Sequence, residues 1–172
     1  MKVKPQPLIS QEQLQKRVYE LAQEINRDFQ GQPLMVVGVL KGSFIFTADL
    51  VRHLNMDIEV DFIRVASYDG TSSTGNVQLV QDIGKDIHKQ NVLLVEDIVD
   101  TGQTLDYLKR LFSERQPKSL SVCTCLSKPS CRKVDVDVKY VGFEIPNKFV
   151  VGYGLDYNGA WRQFPAVHEV ES

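Results

Sequence analysis

The sequence predicts an α/β domain whose mostly parallel central sheet is flanked by helices. Two wholly apolar runs of strand length, LMVVGVL at 34–40 and VLLV at 92–95, carry that prediction. A run without alternation suits a strand covered on both faces, as in a parallel sheet. Each run then passes through a short polar turn into a segment of helical periodicity, which supplies the cover. The polar chemistry therefore collects at the carboxyl ends of the strands, where open α/β sheets bind their ligands.

The elements follow in order. Ser10 with Gln13 three residues later marks a capping-box start, and Leu14, Val18, Leu21, Ala22, Ile25 and Phe29 trace one helical face. Gly31 and Pro33 end that helix. Strand 34–40 leads through Lys41-Gly42-Ser43 into a helix over 44–54. Such a turn could hold pyrophosphate through N–H groups and an ammonium, or it could be a surface lysine before a helix cap. Residues 57–65 alternate as a strand, SYDGTSSTG at 67–75 is polar and aperiodic, and a strand resumes at 77–80. The polar stretch is either a mobile connection or a lid that excludes water. After strand 92–95, Leu105, Leu108, Leu111 and Phe112 recur at helical spacing. A strand over 119–126 ends in Ser127-Lys128-Pro129-Ser130, where Lys128 reads most simply as a solvated turn lysine. A last strand, 138–145, is broken by Pro146-Asn147.

Composition limits the function classes. At 172 residues the chain is expected to form one domain, 1–172, with a substantial core. A formal charge of −2, from 20 basic and 22 acidic residues, gives no global drive toward nucleic acid or an anionic membrane. The segment MKVKPQPLIS lacks the apolar core of a signal peptide, and no window approaches a membrane span, so a cytoplasmic protein is expected. Cys123 and Cys125 alternate on one face of a strand, and Cys131 has no fourth zinc ligand at a familiar spacing. Reduced, packed thiols are expected. His53, His88 and His168 fall in none of the turns and receive no role.

The most informative turn follows Val95. Glu96 and Asp97 precede an apolar pair and then Asp100-Thr101-Gly102-Gln103-Thr104. N–H groups opening a helix, a glycine permitting close approach and two threonine hydroxyls are the parts of a phosphate cradle. The two acids suit the hydroxyls of a sugar or a divalent cation. The plainer alternative is an Asp- or Thr-capped helix beside a solvated acidic turn.

This block resembles the PRPP-binding motif of type I phosphoribosyltransferases: apolar strand, two acids, two apolar residues, D-T-G-x-T. The tail VGFEIPNKFVVGYGLDYNGAWR is similar to the purine-salvage branch of that family, the hypoxanthine(-guanine) phosphoribosyltransferases. The resemblance implies a small hood formed by terminal segments over the sheet. It implies transfer of the phosphoribosyl group of PRPP to hypoxanthine or guanine, with IMP or GMP and pyrophosphate as products and Mg²⁺ as cofactor. It puts the ribose and 5′-phosphate on Glu96, Asp97 and 100–104, with Asp100 as general base. Lys41, Gly42 and Arg162 would take pyrophosphate. Lys128 would donate to the purine oxo group, Phe149 would stack on the base, Val150 would offer backbone groups to its edge, and Asp156 would complete the purine-binding set. Asp156, with Glu96 and Asp97, would hold the metal, and Ser67-Tyr68 would begin a lid. A homodimer or homotetramer is implied, with no membrane or nucleic-acid partner. Two departures stand out: Gln103 where some relatives carry lysine, and the permissive pair Gly159-Ala160. Trp161 reads as packing. The competing classes are a nucleic-acid-binding regulator, which wants a basic face, and a transferase for adenine or a pyrimidine, which the Lys128 turn and the tail argue against.

Overall fold

A computed structural model describes residues 2–68 and 76–171. In chain order the elements are β1 (Lys2–Val3), α1 (Gln11–Asp28), β2 (Leu34–Leu40), α2 (Phe44–Val51), β3 (Ile58–Tyr68) and β4 (Asn76–Gln81). There follow β5 (Asn91–Val99), α3 (Gln103–Ser113), β6 (Ser119–Ser127), β7 (Tyr140–Glu144), β8 (Val150–Val151) and β9 (His168–Glu171). The main sheet has six strands in the order β4-β3-β2-β5-β6-β7. All its pairings are parallel except that of β3 with β4. A second sheet of β1, β9 and β8 is built from the two ends of the chain, as the expected hood.

Connectivity decides where a ligand can sit. From β2 the chain crosses through α2 to β3 on one side, and from β5 it crosses through α3 to β6 on the other. The neighbours β2 and β5 therefore send their continuations apart, which opens a crevice beyond their carboxyl ends. Both apolar runs that predicted the fold end at this switch point.

Alternation within β5 shows why those runs must be apolar throughout. Leu93 and Val95 pack with α1 and α2, whereas Val92 and Leu94 pack with Leu105, Leu108 and Phe112 of α3. The α1 capping box forms as the sequence predicts, with Gln13 N donating to Ser10 Oγ at 3.2 Å and Ser10 N to Gln13 Oε1 at 2.8 Å. Asn26, buried on α1, donates to His53 O and accepts from Asn55 N, each at 3.0 Å, tying the helix to the end of α2. Cys123 and Cys125 lie in one core cluster, free and buried, and desolvation pushes both thiols well above their ordinary range.

Four boundaries differ from expectation by more than one residue. The strand expected over 92–95 continues to Val99, because Glu96, Ile98 and Val99 keep parallel register with Thr124, Leu126 and Ser127 of β6. Glu96 and Asp97 thus belong to the strand itself. β3 runs on to Tyr68, since β4 pairs with it across an irregularity at Arg64/Val65. α2 stops at Val51 and β7 starts at Tyr140, each shorter than expected.

Candidate active site

At the switch point lies a cavity of about 350 Å³. It is lined by Lys41 and Gly42 after β2, Glu96 and Asp97 from β5, and Asp100, Thr101, Gly102 and Thr104 before and in α3. Ser67, Asp156 and Arg162 complete the predicted residues on its wall. Two glycines allow this convergence. A Cβ on Gly42 would sit 1.6 Å from Asp97 Oδ2, so only the absent side chain lets the acid lie against the turn. A Cβ on Gly154, at φ +100°, would sit 2.1 Å from Gly42 O, so the tail presses on the same turn from the other side.

The turn before α3 has no cap from its N-cap residue. That residue is Gly102, at φ +85°, which has no side chain to offer. The first amide bonded back into the helix is that of Asp106, to Gly102 O at 2.9 Å. The amides ahead of it carry the positive end of the helix dipole and face the cavity wall formed by Thr101, Gly102 and Thr104. Of these amides, that of Gln103 donates to Thr101 Oγ1 at 3.4 Å, a long bond, so a threonine takes up one donor while no aspartate among the described residues caps the helix. Gln103 does not line this cavity but a separate one with Tyr107 and Arg110, and its Oε1 lies 3.4 Å from Thr101 Oγ1.

The two acids of β5 are electrostatically uncomfortable. Glu96 is buried beside the cavity that it lines. Desolvation, then the charge of Asp97, holds its carboxyl well above the usual range. Desolvation also pushes Asp97 up, to about 6, against the amide of Ile98 and the charge of Arg162, which pull it down. Asp97 accepts from Ile98 N at 2.7 Å. Carboxyl groups held against ionisation on the wall of a cavity fit a hard divalent cation or sugar hydroxyls. Among the described residues, however, no three Asp, Glu, His or Cys side chains come together as a metal cage. Glu96, Asp97 and Asp156 nevertheless all lie on the wall of the one cavity. Mg²⁺ commonly binds through one or two carboxylates plus substrate oxygens, and the pair in β5 suits that mode.

Asp156 has other partners: its Oδ1 lies 2.8 Å from Arg162 Nη2, and its Oδ2 accepts from Gly159 N at 2.7 Å. The permissive Gly159 has φ +82°, so glycine here closes the tight turn that returns the chain to Arg162. Lys128 is not a solvated turn lysine. It is 6% exposed, and its ammonium lies 3.2 Å from Asp100 Oδ2, which joins the carboxyl ends of β5 and β6.

Phe149 is 48% exposed, with its ring edge-on to Tyr157, which in turn stacks on Trp161. Val150 is buried in β8. Tyr68 pairs through its backbone with Asn76, and the remainder of the expected lid, 69–75, lies outside the described residues. Lys128, Phe149, Val150 and Gln103 therefore do not line the cavity, although the ion pair to Asp100 brings Lys128 to its edge.

One participant escaped the sequence. Arg132 donates to the carbonyls of Val99 and Asp100 (2.5 Å each) and to Ser127 Oγ (2.8 Å), and it lies 3.4 Å from Lys128 O. It sits in an aperiodic polar loop, so no periodicity or spacing singles it out.

The chain matches a family model described as the phosphoribosyl transferase domain over residues 10–158. It is 43% identical over 166 residues to a hypoxanthine phosphoribosyltransferase of Buchnera aphidicola, covering 95% of this chain and 94% of that protein. To the hypoxanthine-guanine phosphoribosyltransferase of Bacillus subtilis it is 44% identical over 161 residues, covering 93% and 89%. Among solved structures it superposes on a hypoxanthine-guanine phosphoribosyltransferase of Bacillus anthracis with a TM-score of 0.95 at 49% identity. That superposition covers 99% of this chain and all of the other.

Proposed function

The chain belongs to the phosphoribosyltransferase family, in its hypoxanthine(-guanine) branch, and on that basis we propose that it transfers the phosphoribosyl group of PRPP to an oxopurine in purine salvage. One observation carries the reading. The amides opening α3, the Lys41-Gly42 turn and the Lys128–Asp100 pair all converge on one crevice. They match, in order, a 5′-phosphate, a pyrophosphate and a base bearing an oxo group.

Breaking the glycosidic C–O bond leaves an oxocarbenium-like carbon and a departing pyrophosphate, so positioning and charge neutralisation do most of the catalysis. The amides of 102–104 and the hydroxyls of Thr101 and Thr104 anchor the 5′-phosphate. Glu96 and Asp97 face the ribose hydroxyls and would hold Mg²⁺, which when bound supplies Lewis-acid neutralisation of the pyrophosphate. Lys41, Gly42 N–H and Arg162 receive the leaving group, Arg162 exchanging its bond to Asp156 for a phosphate oxygen; Asp156 would then be free to turn toward the metal. The ammonium of Lys128 is donor-only and selects an oxo over an amino group. Asp100, 47% exposed at its side chain, is reachable by the base and takes the ring proton as the ring nitrogen attacks. Phe149 offers a face for stacking beside backbone groups of Val150.

The assembly is a homodimer or homotetramer, and the half-exposed Phe44 of α2 and Val60 of β3 are apolar surface that such a contact would cover. Among the described residues no helix is long and apolar enough to cross a membrane. The test is nucleotide formation from PRPP and Mg²⁺ with a panel of hypoxanthine, guanine, xanthine and adenine. Product with oxopurines and little with adenine is expected, whereas equal use of adenine contradicts the role of Lys128.

A further inference from the structure

We propose that Arg132 is a positioning residue that aligns the base-reading ammonium of Lys128 with the proton-accepting carboxylate of Asp100. The inference rests on the activity proposed above and adds a determinant of base selection to it.

The geometry is specific to a guanidinium. Asp100 directly follows β5 and Lys128 directly follows β6, and their side chains meet at 3.2 Å. The backbones are joined up to Val99, where Lys128 N donates to Val99 O at 2.9 Å, but beyond that bond the carbonyls of Asp100 and Lys128 have no ladder partner across the pair among the described residues. Arg132 supplies that further tie. Its Nη1 donates to Val99 O and Asp100 O at 2.5 Å each, with Lys128 O at 3.4 Å, and its Nη2 donates to Ser127 Oγ at 2.8 Å. One planar group thus ties the carbonyl of each member of the pair and the residue just ahead of it. A guanidinium holds its donors in a fixed fork, so the spacing it enforces is rigid, while an ammonium acts as a point charge.

Neighbouring bonds extend the tie without duplicating it. Lys133 N and Val134 N donate to Thr101 O at 2.9 and 3.2 Å, respectively. A Cβ on Gly102 would lie 2.8 Å from Val134 O and 3.5 Å from Arg132 Cδ, so the loop lies directly against the phosphate turn. Those amide bonds support the phosphate turn when the Arg132 side chain is lost. The registration of Lys128 against Asp100 has one backbone bond, Lys128 N to Val99 O at 2.9 Å, but among the described residues nothing besides the guanidinium holds the carbonyls of Asp100 and Lys128 to one group. Loss of the guanidinium should therefore affect the base much more than PRPP.

The experiment measures kcat/KM for hypoxanthine and for adenine, and KM for PRPP, in the wild type, Arg132→Met and Arg132→Lys, with thermal unfolding of each. The hypoxanthine-to-adenine ratio should fall by roughly tenfold or more in both variants, the scale of one misaligned hydrogen bond to a charged group. KM for PRPP should change by less than about threefold, well under 1 kcal/mol. Millimolar guanidinium, far below denaturing levels, should restore part of the ratio in Arg132→Met. If Arg132→Met does not fold, Arg132→Lys is decisive. It keeps the charge and most of the stem but cannot reach the partners on both strands at once. An unchanged ratio in a folded variant, or a loss of rate equal for both bases, makes Arg132 a structural tie only and overturns the proposal. If the wild type joins PRPP to no oxopurine, the proposed activity fails as well, and the two failures are told apart by the wild-type assay.

Discussion

Single residues bear most of the chemistry, and three substitutions test them. Asp100→Ala should cut turnover strongly while PRPP binding survives, since in the proposed site the phosphate is anchored by amides. Turnover within about tenfold of wild type, less than roughly 1.4 kcal/mol of barrier, rules out the general-base role. Gly42→Ala forces a methyl onto the Asp97 carboxylate, 1.6 Å away before relaxation, and should abolish most activity by displacing that acid or the turn. Asp97→Asn should do the opposite to stability. Burial raises the Asp97 carboxyl to about 6, above its ordinary 3.8, so the folded protein resists its ionisation. The resulting destabilisation is absent below the ordinary value, develops through the interval up to about 6 and is complete above it. Asp97→Asn should thus stabilise the ligand-free protein by about 1–3 kcal/mol at pH 8 and by almost nothing at pH 4. Equal melting temperatures of variant and wild type at pH 8 would count against a strained acid pair. At this scale the sequence was informative wherever a motif carried the residue, as for Asp100 and Gly42. Arg132 and the burial of Lys128 stayed hidden because both arise from contacts across the β5 and β6 ends.

Elements were legible where a pattern has one physical cause. Apolar runs marked β2 and the start of β5, and the capping box located the start of α1 to the residue. The end of β5 was illegible, because adjacent acids look like a terminator, yet register with β6 carries the strand through them. The hood strands β1, β8 and β9 have only two to four residues each and no periodicity, and they exist because they pair with one another. α3 is the element on which the phosphate site depends. Its Leu108 is fully buried beneath the sheet, and Leu108→Ala should cost about 2–5 kcal/mol, read from denaturant unfolding. A smaller loss, under about 1 kcal/mol, would mean that α3 is not held by this packing.

At the scale of the whole molecule, function follows from strand order. Because β2 and β5 are neighbours whose connections leave in opposite directions, the turn after one meets the turn after the other. The tail adds a third contribution: Gly154 against Gly42, and Arg162 beside Asp156 on the same cavity. None of this adjacency is written locally in the chain. The two turns are about sixty residues apart, and only the topology joins them. The hood lies nearby, with Val170 N of β9 donating to Phe149 O at 2.9 Å, so the residue expected to stack on the base is held by the end of the chain.

A crystal structure with bound IMP tests the central claim most directly. The phosphorus atom should lie against the turn at 100–104, with its oxygens within hydrogen-bonding distance of the amides of Gly102, Gln103 and Thr104 and the ribose hydroxyls toward Glu96 and Asp97. A phosphate seated on Lys41 and Arg162 instead, or anywhere outside this crevice, would contradict the account.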